Sequence, residues 1–346
     1  MHRRELLRMS AGVGTAALAG CFSLEQQSVG QPAVVENRPD AVYIPSHVEG
    51  MKMIGMKSAG DRMVGLFYSY AHRFWTVTGT RTSKVEIQDD DTIHLMASVW
   101  EPETKTVIPV GSGLTVSITR DGESIESRTP WPMLSQNMGF HFGDNFSLTG
   151  DGTYDVSVQT GSVGLQRNGA FDGKFGSSTT ADFTFEYSQS ARDEISYRRL
   201  DERKGQRGAV DPMDMQMPLS FAPEESALPG TVIGAQSSGD ATFVASTTER
   251  EGSTFVAISP RTPQNRYVLP MMSLSMTLER DGQPVEESTL QGTIDPEFGL
   301  HYGTTVPSVE SGDTVTVTVD SPPQMSRHEG YDTAFLDMPD VSFSVP

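Results

Sequence analysis

The run Leu114-Thr115-Val116-Ser117-Ile118 followed by Arg120-Asp121-Gly122 decides the fold class. Apolar and polar side chains alternate with the period of a half-buried strand, and the Asp-Gly pair supplies the positive φ of a tight hairpin turn. Working outward, Thr92–Trp100 and Thr153–Val158 alternate in the same way, each bounded by Gly, Asp, Pro or Ser. No amphipathic helix of convincing length interrupts them. The expectation is an all-β protein built from short antiparallel strands, a sandwich or barrel.

The same turn recurs as Arg280-Asp281-Gly282, 160 residues later. At that one offset Gly139-Phe140-His141-Phe142-Gly143 matches Gly299-Leu300-His301-Tyr302-Gly303, and Arg167–Asp172 matches Arg327–Asp332. The final strands correspond after a small deletion, Asp182-Phe183-Thr184-Phe185 with Asp340-Val341-Ser342-Phe343. Three matches at one spacing imply an internal duplication. We therefore expect two tandem β-sandwich domains, residues 43–188 and 216–346, joined by an exposed charged connector over 189–215.

Composition narrows the partners. With 45 acidic against 26 basic side chains in 346 residues, the formal net charge is −19, and only 6 of the basic residues are lysine. No basic face is offered to a polyanion, so nucleic acid is excluded as a partner. An acid-rich, lysine-poor surface is what hydration in concentrated salt requires, and it reads as halophile chemistry. One cysteine, Cys21, excludes a disulfide scaffold.

That cysteine follows Arg3-Arg4, an apolar run and Leu18-Ala19-Gly20. The run is too short to span a bilayer, and the pattern is that of a twin-arginine-type lipoprotein signal over residues 1–20. Its removal would leave Cys21 as the lipid-modified first residue, a flexible tether over 21–42, and a net charge of −21, since the signal holds three arginines and one glutamate. The mature protein is expected outside the cytoplasmic membrane, anchored to its outer face.

Residues able to carry chemistry are few. There is no Gly-x-Ser-x-Gly elbow and no phosphate loop, so no enzyme is expected. Histidine and methionine remain, 7 and 17 of them. On the strand around residue 95, His94 and Met96 project from one face. Met133 and His141 form a second pair across a turn. Imidazole with thioether suits Cu(I), whereas imidazole with carboxylate suits iron or Cu(II). A possible secondary group comprises His47, Glu49, Met51, Met53 and His72. Met213, Met215 and Met217 form either a thioether ladder or a stripe packed on a neighbouring sheet.

Asp91–Ala97, Trp131–Asn145 and Gly152–Val156 together resemble the extracytoplasmic Fe²⁺ transport protein family, the periplasmic iron- and copper-binding partners of iron permeases. The resemblance spans roughly residues 90–187 and repeats weakly over 240–346. It implies an immunoglobulin-like sandwich that binds copper through Met and His, with iron nearby, often at a dimer interface. Carried over by position, it assigns metal ligation to His94, Met133 and His141, and places Met96 where the family has glutamate. The family's late histidine-rich loop is Gln166-Arg167-Asn168, without histidine, while the second copy keeps His301 and gains His328. In that copy Thr293 stands where the first has Met133 and Phe243-Val244-Ala245 stands for Leu-Met-Ala, so it is expected to be metal-poor, the tandem replacing a homodimer. The implied function is to bind copper or iron and supply a membrane iron permease. The competing expectation is a non-catalytic surface lipoprotein whose two modules bind protein or glycan.

Overall fold

In the computed structural model the described residues are 32–109, 113–250 and 252–346. The signal, Cys21 and the rest of the tether up to residue 31 lie outside them. Among the described residues no helix is long and apolar enough to cross a membrane.

The chain is all-β, as the alternation predicts. In the first copy the strands Thr115–Arg120 and Glu123–Arg128 flank the quoted turn, with Asp121 and Gly122 at φ 53° and 81°. Asp281 and Gly282 repeat this at 51° and 72° between Ser273–Arg280 and Gln283–Asp295. These two pairs of positive φ values are the backbone twist that a two-residue hairpin demands. The first copy folds as a large sheet, carrying the central strands Arg62–Tyr70, Ile93–Trp100, Gly139–Phe146 and Trp131–Ser135, together with a four-stranded sheet. In the second copy one long strand, Gln283–Asp295, serves both sheets, pairing Ser273–Arg280 with its first part and Gly299–Val306 with its last. The first copy breaks that strand in two, and Pro130 and Pro132 stand at the break, where each removes a ladder donor.

The copies are not separate domains with separate cores. Residues 32–346 form one compact unit, and one apolar cluster runs from Val64 and Tyr154 in the first copy to Leu274 and Phe343 in the second. Two short parallel pairings join them reciprocally. Gln166 and Arg167 of the first copy lie beside Thr293 and Ile294, while Ser326 and Arg327 of the second lie beside Met133 and Leu134. Every partner is displaced by the same 160 residues. The two halves therefore meet as a two-fold dimer would, each lending its late loop to the other's sheet.

Two stretches expected to be loose are built in. From residue 32 the tether packs against the second copy's late loop: Val35 is buried, Arg38 pairs with Asp332 at 2.8 Å, and Tyr43 Oη donates to Asp332 Oδ1 at 2.6 Å. Buried carboxylates need such donors. The connector, exposed over most of its length, nevertheless contributes the strand Tyr197–Arg199, antiparallel to His47–Glu49. Met217 is buried, its Sδ near Trp100 over Gly65, and Met215 packs on the core, so these methionines fill space.

Candidate metal centre

The strand Ile93–Trp100 is buried along both faces, not one. The face bearing His94, expected to look away from the core, is covered in part by the second copy, which brings His328 against His94. Its neighbours in the sheet bring Asn145 opposite His94 and Gly143 opposite Met96, while on the next strand Met133 stands opposite His141. These pairings put His94, Met133, His141 and Asn145 on one surface.

Two further histidines complete the group. His72 follows the strand Arg62–Tyr70, its ring stacked on His94 with centroids 3.9 Å apart. His328 arrives from the second copy, immediately after the exchanged Ser326–Arg327 pairing, and its N–H bonds to Leu134 O at 3.1 Å. One ring nitrogen from each of His72, His94 and His328 lies within 4.8 Å of the others. His141 Nε2 is 3.2 Å from His328 Nε2. Two imidazole nitrogens bonded to one tetrahedral ion at about 2.0–2.1 Å would stand about 3.3 Å apart, so this separation fits a shared cation. Met133 adds sulfur: a β-carbon placed on Gly143 would lie 2.6 Å from His94 Nε2 and 3.1 Å from Met133 Sδ, so both donors converge over that glycine.

Each ring is held by its far nitrogen. His94 Nδ1 lies 2.8 Å from Asn145 Oδ1 and His141 Nδ1 lies 3.1 Å from Gly139 O, so both donate there and keep an Nε2 lone pair. His72 Nδ1 is 3.5 Å from Glu49 Oε2. The Nε2 atoms of His72 and His94 are buried without a hydrogen-bond partner. Burial and neighbouring imidazoles hold His94 and His328 well below the usual histidine range, and burial brings His141 down to about 4. These rings are uncharged near neutrality, the form that ligates. Burial alone would raise the Glu49 carboxyl. Hydrogen bonds from His47 and His72 outweigh it and hold that group below its usual range.

Asn145 does most to orient the group, because Oδ1 also accepts from His72 N at 3.3 Å and Nδ2 donates to His72 O at 3.0 Å. Replacing it with leucine frees the His94 ring and unties the His72 backbone. We expect Asn145→Leu to weaken metal binding roughly 10–100-fold, read by competition with a chelator of known affinity.

His94, Met133 and His141 come together. Met96 does not join them: it packs in the apolar core, opposite Phe67, and no atom of it is among the three nearest to the Gly143 position. The secondary group is not a separate site. Its His72 belongs to the main cluster, its His47 and Glu49 stand directly behind His72, Met51 packs against the core, and Met53 is 39% exposed. His328, expected to serve the second copy, is delivered by the exchange to the first. Phe243-Val244-Ala245 does not stand for Leu-Met-Ala. The strand equivalent to Ile93–Trp100 is Ser253–Arg261, where Phe255 faces Thr305 just as His94 faces Asn145.

The second copy's matching pocket is therefore apolar. Phe255 takes the place of His94, Thr293 that of Met133 and Asn168 that of His328. Leu228, Val244, Ala257 and Phe298 close around Phe255, and Arg250 lies 3.8 Å over its ring. His301 keeps its Nδ1 bond to Gly299 O at 3.1 Å, but its ring meets Phe255 and Phe298 instead of other imidazoles.

Over residues 226–344, inside this second copy, the chain matches a family described as a domain of unknown function, DUF7350. No curated protein matches it. Among solved structures it is similar to FetP of uropathogenic E. coli strain F11 in its as-isolated form, at 17% identity over 41% of this chain and 96% of that one, with a TM-score of 0.28. A copper-bound variant of the same FetP matches at 19% identity over 40% and 97%, again with a TM-score of 0.28. Likeness at that level establishes neither ligand nor role, which rest on the geometry of the chain itself.

Proposed function

We propose that this protein is an extracytoplasmic, lipid-anchored carrier that captures one transition-metal ion, copper in preference to iron, and supplies it to a membrane permease. The observation that carries this reading is the buried convergence of His72, His94, His141 and His328 with the Met133 thioether, two of the imidazoles having an unpartnered Nε2. Burying polar nitrogens without partners is costly, but His301 Nε2 is buried unpartnered as well, so it is the convergence of four imidazoles and a thioether that points to a cation. A neutral imidazole and thioether donor set favours Cu(I) over Fe(II), because the nearest carboxylate, Glu49, is turned to the far side of His72. No step beyond ligand exchange is required, and the chain's residues bind and orient the ion without acting on a substrate.

The test is metal content of the full chain after anaerobic exposure to Cu(I) and to Fe(II), measured by mass spectrometry. One copper per chain, retained through desalting, is expected. A chain that retains neither metal overturns the reading.

A further inference from the structure

Three of the five ligands, His94, Met133 and His141, sit on sheet strands whose register fixes them. The other two do not: His72 lies in the link between Arg62–Tyr70 and Phe74–Thr78, and His328 in the turn that follows Ser326–Arg327. A ligand outside regular structure is held in place only by what packs and bonds around it.

One segment reaches both. Residues 35–46 form neither helix nor strand, yet every residue from Ala41 to Ser46 is buried. Buried coil must find partners for its polar groups, and here many of them belong to the loop that carries His328. Tyr43 N bonds to Gly330 O at 3.1 Å, Tyr43 Oη donates to Asp332 Oδ1 at 2.6 Å, and Arg38 Nε lies 2.8 Å from Asp332 Oδ2. Ser46 Oγ donates to Glu329 Oε2 at 2.6 Å, and Glu329 adjoins His328 in the chain. Three residues beyond Ser46, Glu49 stands behind the other loop ligand, its Oε2 3.5 Å from His72 Nδ1 and accepting from Ser69 Oγ at 3.0 Å. A carboxylate there favours a proton on Nδ1 and so leaves the Nε2 lone pair for a metal. The connector holds the same segment in turn, with Gly208 N bonded to Val42 O at 3.1 Å, Ile44 N to Gln206 O at 2.8 Å and Leu200 N to Ser46 O at 2.9 Å.

The duplication shows that this cover is not a general property of the late loops. In the first copy Gly169, Ala170 and Asp172 are exposed, whereas Glu329, Gly330 and Asp332 at the matching positions are buried. The late loop that brings an imidazole is covered, and the one that brings Asn168 is open to solvent.

We propose that residues 35–49 are the positioning segment of the metal centre: Arg38, Tyr43 and Ser46 seat the loop that carries His328, and Glu49 sets the ring of His72. The inference rests on the metal-binding function proposed above, and it adds to the site a stretch of chain that leads from the proposed lipid anchor and supplies no ligand itself. By linkage, a segment that raises copper affinity is itself held more tightly when copper is bound.

The test uses the full chain, with Cu(I) affinity read by chelator competition. Asp332→Ala removes the anchor of the loop, and Asp172→Ala is its counterpart 160 residues earlier. Asp332→Ala is expected to bind copper roughly tenfold more weakly and Asp172→Ala as the parent does, while Asp332→Asn, which keeps the Oδ1 acceptor, recovers most of the loss. Glu49→Leu is expected to cost a similar factor. A merely structural residue lowers stability whichever ligands are present, whereas a positioning residue acts through its ligand. Asp332→Ala is therefore expected to change affinity by less than about twofold in a His328→Ala background, and Glu49→Leu by less than about twofold in a His72→Ala background, both measured against a weaker chelator. Copper is also expected to slow amide hydrogen exchange at Tyr43 and Ile44 and to leave residues 169–172 unchanged. Parent-like affinity in both Asp332→Ala and Glu49→Leu, or losses that persist undiminished once the ligand is gone, overturns the positioning role while leaving the metal site standing. A parent chain that takes up no copper overturns the site itself, and the role of the segment with it.

Discussion

Replacing His328 with alanine is expected to cost more copper affinity than the roughly 10–100-fold typical of residues behind the ligands, although His328 lies 187 residues from His141 and in the other copy of the repeat. The expectation follows from the exchange of late loops. His328 Nε2 stands 3.2 Å from His141 Nε2, and its ring lies within reach of His72 and His94, so its removal opens one side of the cluster to nothing that can ligate. It should also uncouple metal from stability. At free copper a hundredfold above Kd, binding adds about 2.7 kcal/mol to the parent protein, visible as a higher melting temperature. In His328→Ala that increment should vanish at the same copper concentration. The matched control is Asn168→Ala, at the pseudo-equivalent position, where Asn168 N bonds to Ile294 O as His328 N bonds to Leu134 O. That variant should keep full affinity. Parent-like copper binding in His328→Ala would remove the second copy from the site.

The exchange also explains how far the site was legible in the sequence. Alternation and the repeated Asp-Gly turn give the strand class, because a hairpin is a local object and its φ requirement is written in two residues. His94, Met133 and His141 are comparably local, since the strands that pair them, Ile93–Trp100, Gly139–Phe146 and Trp131–Ser135, belong to one copy. His72 lies beyond the end of its strand, where alternation no longer tells its direction, and His328 comes from the other copy. The absence of histidine at Asn168 and its presence at His328 was the available signal, and it reads correctly only if late loops cross between copies. That crossing is a property of how two sandwiches dock, which no periodicity within one copy encodes. The misalignment of Phe243 has another origin: the repeat offset carries His94 to Phe255 within one residue, whereas Phe243 lies one strand earlier, on the equivalent of Arg62–Tyr70, and a three-residue apolar match does not tell two adjacent buried strands apart. Met96 shows the limit of a face argument: sharing a face with His94 placed it on the right surface, but in a fully buried strand that surface includes core as well as site.

Gly143→Ala is expected to abolish copper binding, and Gly303→Ala, its counterpart at the same offset, to leave it intact. Both glycines stand at the centre of the corresponding strands, and neither has room for a methyl group. At Gly143 the obstacle is the site itself, with His94 Nε2 at 2.6 Å and Met133 Sδ at 3.1 Å from the new carbon. His94 cannot yield without breaking its 2.8 Å bond to Asn145 or its stack on His72, because the ring is buried and held on both sides. At Gly303 the obstacle is the apolar plug, with a Phe255 ring carbon where the methyl would stand. Overpacking of this kind costs about 1–3 kcal/mol, so both variants should melt earlier by similar amounts. Only copper tells them apart. A purely architectural role for Gly143 predicts that the two lose stability and keep metal alike, whereas a ligand pair resting on Gly143 predicts that chelator competition finds no tight copper in Gly143→Ala and one full equivalent in Gly303→Ala. Equal copper content in the two folded variants would show that His94 and Met133 do not bind the ion over that glycine.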